Sequence, residues 1–138
     1  MSVAKVIHEY WSLHGQLAGL VPPERIYTGL PPIRGADGSP LAFPYVSLTF
    51  QEQTQIERTS SGATLSAERL RFAVYSRSYE VARRIAAAIA ANFNRREFAW
   101  PGGRVLDMRP SGRTETEDAG DGVWLIAVDF QIRVAETK

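Results

Sequence analysis

The stretch from Arg69 to Phe93, RLRFAVYSRSYEVARRIAAAIAANF, changes its period halfway along. Leu70, Phe72 and Val74 alternate with other residues as in a strand with one buried face, whereas Val81, Ile85, Ile89 and Phe93 recur every four residues as on a helix. Only Ser76, Arg77 and Ser78 separate the two rhythms. A strand that hands over so abruptly must feed a helix laid across its own sheet. Ser78 is a good N-cap, and Glu80 falls in the first turn, where the helix dipole favours a carboxylate. Ala82, Ala86, Ala87, Ala88, Ala90 and Ala91 surround the apolar stripe, and such small side chains let a helix approach a sheet closely. Arg95 and Arg96 are expected in its last turn, at the negative end of the dipole.

The remaining segments fit around this unit. Val3, Val6, Ile7, Tyr10, Leu13 and Leu17 lie three or four apart, so an amphipathic helix with one core face is expected, ending near Gly19 before paired prolines. RIYTG reads as a short strand, and LPPIRGADGSPLAFP as a surface loop of turn-forming residues. Val46, Leu48 and Phe50 alternate with Ser47, Thr49 and Gln51, and a TSSGA turn returns the chain into Leu70–Val74, so a long β-hairpin is expected. Its outer half, Gln51 to Glu68, is almost entirely polar and is expected to project as an arm; the alternative is a disordered loop. FAWPGGRVLDMR reads as a strand broken at Pro101–Gly103, and RTETEDAGDG as a second polar tip. In VWLIAVDFQIRV, Trp124, Ile126, Val128, Phe130, Ile132 and Val134 share one face, with Asp129, Gln131 and Arg133 on a wet one. Trp11, Trp100 and Trp124 occupy apolar positions and read as core. The expected fold class is α+β: a single antiparallel or mixed sheet with two helices packed on one face and long projecting β-hairpins.

Catalytic chemistry is not legible. The 138 residues suit one domain, and a formal net charge of +1 gives no global attraction to nucleic acid or to a membrane. No cysteine is present, which excludes disulfides and thiolate sites. His8 and His14 lie about 240° apart around a helix and cannot chelate one ion as an i, i+4 pair would. Glu115, Glu117, Asp118 and Asp121 lack the ligand spacing of a calcium loop and read as a solvated tip. No nucleophile elbow or phosphate-cradling loop occurs. Arg69, Arg71, Arg77, Arg83 and Arg84 gather near the strand–helix junction, and a solvated or subunit-contact face explains them better than a phosphate site. No catalytic, cofactor-binding or metal-ligating residue is therefore assigned.

PYVSLTF, the RLRFAVYSRSYEVARRIAAAIAANF unit and the closing VWLIAVDFQIRV together resemble the tail-completion (tail-terminator) proteins of long-tailed phages and prophages, over Val3 to Val134. The SRSYEVARRIAAAI junction carries the likeness most strongly; the alanine-heavy helix and the long RTETEDAGDG tip depart in detail. The resemblance implies one tail-terminator-like domain over residues 1–138 with no enzymatic activity and no cofactor. It implies a homo-oligomeric ring, a hexamer, which caps the tail tube, ends its polymerisation and joins the head–tail connector protein. The partners are then other copies of the chain, the tail tube protein and the connector, with no membrane and no nucleic acid beyond DNA passing through the ring. The place is the virion tail, and the host cytoplasm during assembly. Gln55, Glu57, Arg58, Thr59, Arg69 and Arg71 are the expected subunit-contact arm. Two other readings stay open: another connector or tube-like ring component, and a small-molecule-binding α+β domain, which would require a deep pocket with convergent polar groups.

Overall fold

A computed structural model describes residues 2–29, 41–58, 62–118 and 120–137. The chain opens with α1 (Val3–Leu13), α2 (Gly15–Leu20) and a short 3-10 turn at Pro23–Arg25. Strands β1 (Ile26–Thr28), β2 (Tyr45–Arg58) and β3 (Ala63–Ser76) follow, then α3 (Tyr79–Phe93), β4 (Phe98–Trp100), β5 (Gly103–Asp118) and β6 (Val123–Thr137). All six strands join one sheet in the order β1-β2-β3-β6-β5-β4. Only the β1–β2 pair is parallel, so the sheet is mixed. The LPPIRGADGSPLAFP loop lies mostly outside the described residues.

The abrupt switch after β3 is built as its residues require. The Ser78 hydroxyl accepts from the Val81 amide at 3.3 Å and starts α3, while Ser78's own amide donates to the Ser76 hydroxyl at 3.0 Å. α3 then buries Ala82, Ile85, Ala86, Ala88, Ile89 and Phe93 against the sheet, with Val81 half-buried. The helix stops at Phe93, so Arg95 and Arg96 lie beyond its last turn: Arg95 takes a left-handed φ of 59°, and Arg96 stacks over the Tyr10 ring at 4.8 Å. A chain turning sharply into β4 has no room for another helical turn.

At the N-terminus the single expected helix is two. His14 closes α1 by donating its amide to the Trp11 carbonyl, and its Nδ1 accepts from the Leu17 amide to open α2. The Trp11 indole, fully buried, donates to the Val21 carbonyl at 2.9 Å and ties the helices to the following segment. Leu13, expected on the core face, is 88% exposed, and Leu17 takes the buried place after the bend.

Helix-facing positions of the sheet form the rest of the core: Val46, Leu48, Leu70, Phe72 and Val74 from the hairpin, and Ile126 to Val134 at alternate positions on β6. Trp100 is buried and Trp124 half-buried. Pro101 and Gly102 turn β4 into β5, and a Cβ on Gly103 would lie 2.6 Å from the Trp100 indole, so glycine is required there. Two polar segments differ from their expected state. RTETED continues β5 as strand, paired with Val128 to Val123, because the long apolar β6 supplies a ladder for it. The outer half of β3 is not one side of a free ribbon: it pairs with β6 from Ala63 onward and with β2 from Thr64 onward.

Candidate assembly surface

The helices cover one sheet face, and residues of the other parity form an open face. Its centre is a bidentate ion pair between β3 and β6. Arg71 donates from Nε to Asp129 Oδ1 at 2.8 Å and from Nη2 to Oδ2 at 3.1 Å. Asp129, expected on a wet face, is only 9% exposed, and its hydrogen bonds raise the Arg71 pKa further above its already high value. On β5, Arg109 Nε donates to Asp107 at 2.6 Å. Arg69 stands opposite Gln51 and Gln131, and Arg133 opposite Ala67 and Asp107, all on the same face. At one end of this face Tyr45 stacks on Tyr75 at 4.7 Å and meets Tyr27 edge-on at 5.9 Å. Burial, then the neighbouring Tyr75 and Tyr27, raise the Tyr45 hydroxyl pKa. Arg77 lies over the Phe43 ring at 4.8 Å and donates to the Asp121 carbonyl at 2.8 Å.

The sheet also has free edges. β1 pairs with β2 only as far as Leu48, and β4 with β5 only as far as Val105. Among the described residues, β2 beyond Leu48 and β5 beyond Met108, whose carbonyl accepts from the Arg95 amide at 2.7 Å, therefore each have a strand partner on one side only. Exposed edges of this kind pair readily with another chain.

Beneath the helices, at the same end of the sheet as the outer half of the β2–β3 hairpin, an open cavity of about 380 Å³ lies between the start of α1 and the sheet. Val3, Ala4 and Phe50 supply apolar wall, and Glu68 and Glu136 both line it. Burial, and then repulsion from Glu136, raise the Glu68 pKa. Both histidines serve the backbone: His8 Nε2 is 3.0 Å from the Pro23 carbonyl, and His14 caps α2. Among the described residues no group of three or more histidine or acidic side chains could hold a metal.

The expected contact residues are spread along the hairpin. Gln55, Glu57 and Arg58 lie on the outer half of β2, opposite Ser66, Leu65 and Thr64, with side chains outside the described part; Thr59 lies wholly outside it. Arg69 is exposed on the open face, and Arg71 is locked by Asp129. Nor do the junction arginines form one phosphate site, since Arg83 and Arg84 are exposed on α3 while Arg69 and Arg71 point from the opposite sheet face. Asp129, Glu68 and Glu136 were missed from sequence. The polar parity of β3 and β6 could have signalled Arg71 and Asp129, but which of them meet depends on a register no local pattern records.

An α+β domain whose sheet keeps one face clear of helices has a broad surface available for contact with other proteins. Residues 12–135 match the family described as "Tail completion protein gp17". The chain belongs to that family: it is a structural protein of a phage tail, located in the virion tail and assembled with other phage structural proteins. Its fold is similar to a chain in the structure titled "Virion of native gene transfer agent (GTA) particle", with TM-score 0.75 and 18% identity, covering 97% of this chain and 95% of that one. Comparison with curated protein sequences gave no match.

Proposed function

We propose that the chain, as one domain over residues 1–138, closes into a hexameric ring on the finished tail tube. The ring ends polymerisation, docks the head–tail connector and leaves a central passage for DNA. The observation that carries this reading is the match of residues 12–135 to tail completion proteins. The architecture supports it. Three helices shield one sheet face and leave the other for contact, and the unpaired edges of β2 and β5 lie on opposite sides of the sheet. Unlike surfaces on opposite sides of a subunit suit head-to-tail contacts, which close into rings when the rotation permits. The outer half of β2, with Gln55, Glu57 and Arg58, contributes to the subunit contact in this reading, together with Thr59, which follows it in sequence.

Electron microscopy of the concentrated protein, alone and with polymerising tail tube protein, tests it. Rings at one tube end and tubes that stop lengthening are expected. Stacks of the chain forming tubes of their own, or rings that bind the connector but never the tube, would favour another ring component instead. Tubes that grow unaffected, with no ring on them, would overturn the reading.

A further inference from the structure

One end of the sheet carries opposite charge on its two faces. On the open face Arg69 and Arg133 are exposed on adjacent strands, with Arg104 on β5 one row further out. Among the described side chains of that face, Asp129 is engaged by Arg71 and Asp107 by Arg109, and no ion pair takes these three arginines among the described residues. On the reverse of the same strands, Glu68 of β3 and Glu136 of β6 share the cavity walled by Val3, Ala4 and Phe50. No cationic side chain among the described residues lines it. Glu68 and Arg69 are neighbours in sequence, so the two patches stand back to back across one sheet. With a net charge of +1 the chain is not basic overall; its charge is segregated.

Resting on the ring reading, we infer that neighbouring copies associate front to back, the Arg69–Arg133 face of one subunit seating against the Glu68–Glu136 side of the next. Charge complementarity selects a second copy as the occupant. Each copy offers both patches, so a single rotation repeated around a ring uses all of them. The apolar wall suits the carbon stem of an arginine whose head meets the carboxylates. Arginine is also the residue best shaped to engage a carboxylate through paired hydrogen bonds. The contact relieves the repulsion between Glu68 and Glu136 that the isolated subunit must carry. A duplex on the arginine face would leave that pair unrelieved.

Two variants of the full chain test this: a front variant, Arg69→Glu with Arg133→Glu, and a back variant, Glu136→Lys with Glu68→Gln. Like charges placed against each other at an interface strongly disfavour association. Each variant alone should therefore lose at least about tenfold in ring population at a concentration where the wild-type chain is mostly ring, by size-exclusion chromatography and microscopy. Mixing the two should restore rings, because an alternating arrangement places acid against base at every contact. Restoration also proves that both variants are folded. Either variant forming rings as well as the wild type overturns the inference, as does a mixture of folded variants, judged by circular dichroism, that stays unassembled. Rings intact in both variants, with loss of binding to DNA or to another virion protein, would reassign the arginine face and equally overturn it. A wild-type chain that forms no ring, alone or on tubes, rejects the ring reading itself, which is a separate result.

Discussion

At the residue scale, the open face is organised by one ion pair. The Arg71 side chain is 35% exposed and that of Asp129 12%, so the pair is shielded enough to matter without being wholly desolvated. Asp129→Ala should lower stability by about 1–2 kcal/mol, since it strips a charged partner from two hydrogen bonds while water still reaches the guanidinium. Urea unfolding of both single variants and of the Asp129→Ala, Arg71→Ala double variant checks this: the double should cost less than the sum of the singles. Glu68 works in the opposite sense. Its pKa is raised above 4.5 by burial and by Glu136, so the folded state holds the proton more tightly than the unfolded one. Stability from this group is then full below the unfolded pKa and lost as pH rises through the folded value. Glu68→Gln should therefore melt higher than the wild type at about pH 7.5, and the gap should shrink towards about pH 4.5. A gap that does not change with pH would remove the repulsion from the account.

At the element scale, α3 and α1 make contrasting predictions. Ile85 is fully buried beneath α3, and Ile85→Ala should cost about 2–5 kcal/mol, as large-to-small core changes do. Leu13→Ser should stay within about 0.5 kcal/mol of the wild type, because the side chain is 88% exposed. Thermal and urea unfolding of the two variants would separate them clearly. Leu13 also shows where local pattern reading ends. Its spacing from Tyr10 fits the core stripe, but it lies at the stripe's rim in the last turn of α1, and the bend at His14 carries the chain away. Alternation on β6 and the four-residue stripe on α3 were legible, because each is imposed by a single buried face. RTETED was not, since a strand with no buried face has no apolar rhythm and takes its state from its partner. The double pairing of β3 joins residues as distant as Ala63 and Thr137, and no local rhythm encodes such a match. The same long-range register decides that Asp129, polar by sequence, is buried against Arg71. The arm was legible as polar and extended, and its support was not.

At the scale of the whole molecule, the outer hairpin must serve two ends. Its β3 strand is paired on both sides, and so contributes to the folded sheet; its β2 strand beyond Leu48 has one side unpaired among the described residues. Removing the tip should therefore affect folding and assembly unequally. Gln55 stands opposite Ser66, so replacing Ile56–Leu65 with Asn-Gly closes the hairpin on an existing pair through the two-residue turn best matched to strand twist. The lost residues include Ala63, Thr64 and Leu65, which pair with Thr137, Glu136 and Ala135 at the very end of β6, where the sheet has little core beneath it. Melting temperature should therefore fall by no more than about 5 °C, the scale of a change near 1 kcal/mol in a domain of this size. Ring formation should be lost, because the outer end of β2 at Ile56, Glu57 and Arg58, and Thr59 after it in sequence, go with the tip while Arg69 and Arg133 stay. Parallel melts and microscopy on one preparation decide between the two roles. If rings form normally while the melting temperature falls far more than that, the hairpin belongs to the folding core and its part in assembly is refuted.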